Sequence, residues 1–358
     1  MPTPGDDDGP HSLIEVGGLG RALGPALHES CGDKLGELEW FSTPWQRSGA
    51  ATGYTHWRLP NGEVIDAIAK VPVGYREWYW STHLGETDPM WWESAESEHL
   101  PVPRVLASGV ELGEYDVAWL VVERVGGGSV RSTLSEEVPR AERAAMVERL
   151  FDAVARFQVM AGREREVTAE DAAPRRDWAA LIEKSARAVA DNPMPDEARW
   201  AALIDRVGAR LDALVSVWRG RDQSTWCHGD VHPGNVLTRP CRTTRPGGDG
   251  HAAGEDEGVL IDLGLVHAGH WLEDALYLER LYWGHSEMLG GVEPVRALSE
   301  ARGRLGVESS LELCAEVAEV RRVLMAATSP AFLGQEHEGA YLSTALGHLE
   351  AAAGRGLI

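Results

Sequence analysis

Lysine is almost absent from this sequence. Of 34 basic residues only Lys34, Lys70 and Lys184 are lysines, and all the others are arginines. Where a chain uses arginine almost everywhere, a lysine inside an apolar strand indicates a chemical role. Lys70 ends the mostly apolar stretch 64–70 and is therefore the first candidate functional residue.

Cysteines and long apolar runs are also scarce. The four cysteines have no paired spacing, which argues against a disulfide framework and against a cysteine zinc site. The apolar run at residues 117–122 is far too short to span a membrane. The first eight residues are polar and acidic, unlike a secretory signal. We therefore expect a cytoplasmic protein with no membrane segment.

Acidic residues dominate the charge. With 56 acidic and 34 basic residues, the formal net charge is −22, which argues against nucleic acid as the main partner because phosphate backbones need a basic surface. A length of 358 residues with 43% hydrophobic and 25% charged residues is typical of a globular protein of one large domain or two lobes. The sequence says nothing about oligomeric state.

The most informative stretch spans residues 226–237, with the pattern His228-x-Asp230-x-x-x-x-Asn235. Pro-Gly at 233–234 predicts a type II turn that folds Asn235 back towards Asp230. Residues 259–264 then predict a short buried strand that ends in Asp262 and a glycine. Two carboxylates and a carboxamide at neighbouring strand ends suit Mg²⁺ binding at a nucleotide phosphate, with one carboxylate orienting an attacking hydroxyl.

These two motifs resemble those of the aminoglycoside phosphotransferase and choline kinase group of small-molecule kinases, and the resemblance covers most of residues 40–290. It implies an α+β, two-lobed, protein-kinase-like fold with a small antiparallel-sheet N-lobe and a mostly helical C-lobe. It also implies that ATP or GTP donates a phosphoryl group to a small hydroxylated acceptor. Asp230 is then the catalytic residue, Asn235 and Asp262 bind Mg²⁺, and Asp274 buttresses the catalytic loop.

The resemblance also assigns nucleotide contacts in the first half of the chain. Residues 54–59 and 64–71 predict a hairpin joined by Asn-Gly, and Lys70 takes the place of the lysine that contacts the α- and β-phosphates. Its glutamate partner is taken as Glu93, with Glu96 as the second choice. The remaining expected contacts are amides of the loop at 48–53, which cover the phosphates, and the hinge backbone at the adenine edge: Ser48, Gly49, Gly53, Glu123 and Val125.

Other interpretations stay open. His228, Asp230 and His232 are residue types that bind zinc in hydrolases, although no further compact cluster completes such a site. The loop is alternatively an ordinary turn, or part of a kinase-like fold that only binds nucleotide. A protein kinase is a further alternative, but Gly229 stands where protein kinases commonly have arginine, and no Ala-Pro-Glu follows Asp262.

We therefore expect a tail and leading segment at 1–37 with no long helix, a nucleotide-binding lobe at 38–125 and a catalytic, acceptor-binding lobe at 126–358. Apolar spacing predicts helices over 138–159, 199–218, 271–288, 308–327 and 338–353, and residues 240–258 are read as an extension of the hairpin between the two motifs. A further expectation concerns the acceptor. Glutamates at three- and four-residue steps line one helix face and favour an amine-bearing, aminoglycoside-like molecule: Glu308, Glu312, Glu316 and Glu319.

Overall fold

The computed structural model describes residues 16–41, 50–84, 100–126, 129–130, 134–135, 137–239, 257–332 and 339–358. Backbone proximity divides the chain into two units. Unit 1 comprises Met1–His99 and Pro103–Val125, and unit 2 comprises Leu100–Val102 and Gly126–Ile358. Within the described ranges, no helix combines the length and the apolar character that crossing a membrane requires.

Unit 1 is built on a five-stranded antiparallel sheet with the strand order β1-β2-β3-β5-β4. Its strands are β1 (Glu39–Phe41), β2 (Ala51–Arg58), β3 (Val64–Val73), β4 (Val105–Gly109) and β5 (Ala118–Glu123). The predicted hairpin is confirmed, because β2 pairs with β3 from Arg58 opposite Val64 up to Ala51 opposite Val71. Gly62 in its turn has φ +86°, a conformation that suits glycine.

Two helices accompany the sheet, α1 (Val16–Cys31) and α2 (Tyr75–Leu84). The expectation that glycines and Pro25 would prevent a long helix before residue 35 is wrong. Leu23, Leu27 and Cys31 recur at four-residue steps and are buried in the core formed with the sheet. Burying each large apolar side chain contributes about 1.5–3 kcal/mol, which outweighs the weak helix propensity of glycine.

Unit 2 is mainly helical. Its helices are α3 (Arg140–Glu164), α4 (Trp178–Asp191), α5 (Glu197–Arg219), α6 (Glu273–Leu281), α7 (Pro294–Arg304), α8 (Leu311–Thr328) and α9 (Gly339–Gly354). Predicted helices are confirmed as α3, α5, α8 and α9. The one predicted over 271–288 ends early, at Leu281, and Gly284 follows with φ +86°. No pattern had indicated α4 or α7.

Two short antiparallel strand pairs carry the motifs of unit 2. Strand β6 (Thr225–Cys227) pairs with β9 (His267–Gly269), and β7 (Val236–Arg239) pairs with β8 (Glu257–Leu260). The first motif therefore connects β6 to β7, and the second follows β8. The predicted hairpin extension lies between β7 and β8, and its residues 240–256 are outside the described residues.

Candidate active site

The loop between β6 and β7 is shaped by a short 3₁₀ turn, Pro233–Asn235. The predicted type II turn is wrong, because a 3₁₀ turn has negative φ at every residue and needs no special conformation at Gly234. His232 supports the turn: its Nδ1 accepts from the Gly234 N–H at 3.0 Å, and its carbonyl accepts from the Asn235 N–H at 2.9 Å. The turn still returns Asn235 to Asp230, as predicted.

Both carboxylate oxygens of Asp230 have fixed partners. Asn235 Nδ2 donates to Oδ2 at 3.1 Å and to the Asp230 carbonyl at 3.0 Å, while Tyr277 Oη donates to Oδ1 at 2.5 Å. His232 Nε2 lies 3.7 Å from Oδ2. The Asp230 side chain keeps 23% of its surface exposed, so it is oriented yet accessible. Such a carboxylate is placed to receive a proton from a hydroxyl group.

His228 has a structural role. Its Nδ1 accepts from the Asp230 N–H at 3.3 Å, and its Nε2 donates to the Ile261 carbonyl at 3.0 Å. The ring thus links the first motif to the second from a fully buried position. With both ring nitrogens engaged, His228 has no lone pair left for a metal, which removes a ligand from the zinc interpretation.

Gly229 cannot be replaced by a larger residue without rearrangement. Its φ is +85°, and a Cβ at this position would lie 2.3 Å from the Leu265 carbonyl oxygen and 3.0 Å from His267 Nδ1. The arginine that protein kinases commonly carry here therefore does not fit this backbone.

The loop between β6 and β7 rests on Asp274, which is fully buried in the first turn of α6. Its Oδ2 accepts from the His228 N–H at 3.0 Å, and its Oδ1 accepts from the Gly229 N–H at 2.9 Å. Gln158 Nε2 also donates to Oδ2 at 3.0 Å. The predicted buttress is confirmed: one carboxylate satisfies two backbone donors next to Asp230.

Asp262 follows β8 in a left-handed conformation, with φ 65° and ψ 67°. The Ile261 N–H donates to the Asn235 carbonyl at 2.9 Å, so the two proposed metal ligands come from adjoining backbone segments. Asp262 is exposed and makes no hydrogen bond or ion pair with any residue that the structure describes. A strained, unpaired carboxylate of this kind is typical of a functional position.

Asn235 and Asp262 fit a hard divalent cation. Because Asn235 uses its Nδ2 for both bonds to Asp230, its Oδ1 is the atom left to face a ligand. A carboxamide oxygen and a free carboxylate are ligands that Mg²⁺ accepts. Zinc would instead favour nitrogen or sulfur ligands.

In unit 1, Lys70 lies on β3 opposite Thr52, and its Nζ donates to Glu77 Oε1 at 2.6 Å. The two side chains keep 27% and 18% of their surfaces exposed. Glu77, in the first turn of α2, is not the partner that the sequence analysis chose. Glu93 and Glu96 both lie outside the described residues. Since α2 begins only two residues after β3 ends, its first turn is well placed to return a carboxylate to Lys70.

Residues 91–289 match the model of the Phosphotransferase enzyme family, which is more than half of the chain. This chain belongs to that family. The resemblance drawn from the two motifs is therefore confirmed.

Two individual comparisons show which proteins this chain is similar to. An aminoglycoside 3'-phosphotransferase of Streptomyces fradiae is 31% identical over 168 residues, which are 45% of this chain and 55% of that protein. The chain thus spans about half the length of this curated relative. A solved structure of a presumed aminoglycoside phosphotransferase from Ralstonia eutropha covers 93% of this chain and 98% of its own, with a TM-score of 0.54 and 15% identity. That similarity confirms the predicted kinase-like α+β fold.

The other predicted nucleotide contacts fall in unit 1. Gly53 was expected in a loop but lies within β2, where a Cβ would come 3.0 Å from the Trp40 ring. That packing explains why position 53 is a glycine. Ser48 and Gly49 lie outside the described residues. Glu123 ends β5, and its Oε1 accepts from the Arg104 N–H at 3.1 Å. Val125 is the last residue of unit 1 and is buried.

A second group of potential metal ligands, Cys227, His267 and Glu273, lies near the loop between β6 and β7. Glu273 Oε1 already accepts from Arg221 Nε at 2.8 Å and from the His270 N–H at 2.7 Å. Although burial alone would raise its pKa, His267 and Arg221 lower the pKa of Glu273 to about 2. The pKa of the Cys227 thiol is raised by burial, and the thiol donates to the His270 carbonyl. These contacts account for Cys227, His267 and Glu273 as members of a hydrogen-bond network.

Tyr277 is the site residue that the sequence analysis missed. It lies three residues after Asp274 on α6, so both side chains leave the helix on the same face. Asp274 accepts from the N–H groups of residues 228 and 229, so Tyr277, about one helical turn later, is placed to reach residue 230. Burial and the hydrogen bond to Asp230 raise the pKa of Tyr277, so the hydroxyl remains a donor at neutral pH. The three-residue spacing between Asp274 and Tyr277 was the sequence signal that could have identified Tyr277.

Replacing Tyr277 with phenylalanine tests this positioning role. The change keeps the ring and removes only the donor to Asp230, and a hydrogen bond to a charged group contributes about 1.5–3 kcal/mol. We expect kcat for Mg²⁺-dependent nucleotide turnover to fall about tenfold or more, with KM for the nucleotide and the melting temperature almost unchanged. Tyr115→Phe, which removes an exposed hydroxyl, is the matched control. A loss of stability without a change in kcat would make Tyr277 a packing residue only.

Proposed function

We propose that this phosphotransferase moves the γ-phosphoryl group of ATP, or of GTP, to a hydroxyl group of a small molecule. The observation that carries the proposal is the arrangement around Asp230. Its carboxylate accepts hydrogen bonds from Asn235 and Tyr277. The hydrogen bond from the Ile261 N–H to the Asn235 carbonyl joins the segment that carries Asp262 to the same loop, so the oxygens of Asn235 and Asp262 that can bind a metal adjoin Asp230. Family membership supports phosphoryl transfer, and the Asp230 geometry supports a hydroxyl acceptor.

In the proposed reaction the acceptor oxygen attacks the γ-phosphorus while the bond from that phosphorus to the β–γ bridging oxygen breaks. Asp230 orients the hydroxyl and receives its proton, and the nucleoside diphosphate leaves with the bonding electron pair. Asn235 Oδ1 and Asp262 would hold Mg²⁺, which supplies positive charge to the nucleotide phosphates. Catalysis of this kind depends mainly on positioning and on charge stabilisation.

The residues of unit 1 are proposed as nucleotide contacts. Lys70 would contact the α- and β-phosphates, and its bond to Glu77 keeps the ammonium group in place. We assign to Glu77 the role first expected of Glu93. Backbone groups at Glu123 and Val125 are proposed to bind the adenine edge.

The acceptor itself is a separate question. The Streptomyces relative is named for aminoglycosides, which supports the amine-bearing acceptor expected from the sequence. The sequence expectation was based on an acidic helix face, which the structure shows as an ordinary surface. Glu308 precedes α8, Glu312 and Glu316 are exposed, and Glu319 pairs with Arg355. The proposal is therefore limited here to a small hydroxylated molecule.

An Asp262→Asn variant tests the metal part of the proposal. Asparagine tolerates the left-handed conformation, so the fold should keep its stability while the charged ligand is lost. We expect the Mg²⁺ concentration for half-maximal turnover to rise about tenfold or more, and calorimetry to show weaker binding of Mg-ATP. Asp205→Asn, at an exposed position of α5, is the control. An unchanged Mg²⁺ requirement would remove Asp262 from the mechanism.

A further inference from the structure

A series of buried polar side chains leads from α7 to the loop that carries Asp230. Its outer member is Arg302, near the end of α7, which keeps only 7% of its surface exposed. The Nε of Arg302 donates to Ser309 Oγ at 2.7 Å, and its Nη1 donates to Gln158 Oε1 at 2.8 Å. Gln158 lies on α3 and is buried as well. We call Arg302, Gln158 and Asp274 the buried relay.

The side-chain amide of Gln158 joins a cation to an anion. Its oxygen accepts from the Arg302 guanidinium, while its Nε2 donates to Asp274 Oδ2 at 3.0 Å and to the Trp271 carbonyl at 3.0 Å. The opposite orientation of the amide would place its oxygen against the carboxylate and its N–H groups against the guanidinium. Because the hydrogen bonds to charged groups are the stronger ones, the charges at the two ends fix the orientation of Gln158.

Packing alone does not explain a charged residue at position 302. Among the residues that the structure describes, Arg302 forms no ion pair, although its Cζ lies 5.8 Å from the centre of the Trp271 ring. A buried guanidinium without a carboxylate partner is costly, and an apolar side chain of similar length would fill the same space without that cost. The guanidinium therefore contributes something that packing does not, which is a charged donor to Gln158.

The inner end of the relay fixes the backbone next to Asp230. Asp274 accepts from the N–H groups of residues 228 and 229 and from Gln158. Of these three donors, Gln158 is the one that a side chain supplies, so its position depends on the partners of that side chain. Gly229 precedes Asp230 directly and has φ +85°. A shift of the Asp274 carboxylate would therefore be passed on to the backbone that carries Asp230.

We propose that Arg302 and Gln158 are positioning residues for phosphoryl transfer, and that they act through Asp274 on the backbone that presents Asp230 to the acceptor. The inference rests on the proposed function. Arg302 orients the Gln158 amide, Gln158 orients the Asp274 carboxylate, and Asp274 orients the N–H groups of residues 228 and 229. Since the proposed nucleotide contacts lie elsewhere, the relay should affect kcat and leave KM for the nucleotide unchanged.

Kinetics of Mg²⁺-dependent nucleotide turnover, measured on the full chain, test the two positions. We expect kcat to fall about tenfold in Arg302→Met and in Gln158→Met, with KM for the nucleotide almost unchanged, because each change removes a charge-assisted hydrogen bond. Arg302→Lys has nearly the same length as Arg302→Met but keeps a charged donor, so it should retain more of the activity. Arg304→Met is the control, since Arg304 lies on the same helix and pairs with Asp152 at the surface.

The double variant distinguishes a relay from two independent contributions. If Arg302 acts through Gln158, removing it has little further effect once position 158 is methionine, and kcat should stay about tenfold below the wild type. Independent effects would instead multiply to about a hundredfold. Multiplied losses overturn the proposal, as do unchanged kcat values in both single variants or equal losses in Arg302→Lys and Arg302→Met.

Hydrogen exchange followed by mass spectrometry tests the relay without any turnover. The N–H groups of residues 228 and 229 should exchange about tenfold faster in Arg302→Met and Gln158→Met than in the wild type and Arg304→Met. Faster exchange confined to α7 and residues 305–309 would make Arg302 a packing residue and overturn the proposal. If Arg302→Met does not fold, Gln158→Met still tests both kcat and exchange. A wild type that never turns over nucleotide would refute phosphoryl transfer, and the exchange result would remain a separate test of the relay.

Discussion

Changing Asp230 to asparagine is expected to lower phosphoryl transfer about a thousandfold or more, with nucleotide affinity almost unchanged. Asparagine has the same size and keeps one acceptor oxygen, for either Tyr277 or Asn235 Nδ2, but it carries no charge and cannot take a proton at neutral pH. The contacts proposed for the nucleotide and metal lie elsewhere, at Lys70, Asn235 and Asp262. Loss of kcat with retained affinity is therefore the expected signature.

The measurement is Mg²⁺-dependent nucleotide turnover, first with water and then with a panel of hydroxylated acceptors, together with calorimetric nucleotide binding. Asp222→Asn is a suitable control because, among the residues that the structure describes, its carboxylate accepts hydrogen bonds from the nearby Ser224 alone. Normal turnover in Asp230→Asn would refute the assigned base. A wild type that binds nucleotide and never turns it over would instead support the non-catalytic alternative.

The sequence predicted those parts of the site that depend on neighbouring residues. Asp230 and Asn235 are five residues apart, and a single turn of backbone joins them whether that turn is type II or 3₁₀. The prediction therefore succeeded although its turn type was wrong. The link between the two motifs was also predictable, because β7 and β8 form a local hairpin that begins after Asn235 and ends before Ile261.

Parts that depend on packing were missed or misplaced. Several glutamates follow Lys70 within thirty residues, and sequence spacing alone did not identify Glu77 as the one returned by the first turn of α2. Helix α1 forms despite its glycines because its apolar side chains pack against the sheet. Arg321 of α8 stacks on Trp178 of α4 and on Trp218 of α5, which come more than 100 positions earlier in the chain. No local sequence pattern predicts a contact between residues so far apart.

The neutral substitution Asp274→Asn is expected to cost about 3–5 kcal/mol of unfolding free energy and to abolish turnover, because it leaves donors unpaired in a buried network. Asp274 accepts from three donors: the N–H groups of residues 228 and 229, and Gln158 Nε2. An asparagine can offer an oxygen to only one side. Its amide group would face either the Gly229 N–H, or both the His228 N–H and Gln158.

Gln158 cannot correct the mismatch by turning its amide. Its Oε1 accepts from Arg302 Nη1 at 2.8 Å, and its Nε2 also donates to the Trp271 carbonyl at 3.0 Å. A flip would place the Gln158 amide against the Arg302 guanidinium and its oxygen against a carbonyl. Urea denaturation with matched slopes measures the stability, and Asp212→Asn on the surface of α5 is the control. A stability loss below about 1 kcal/mol would show that the catalytic loop holds its shape without Asp274.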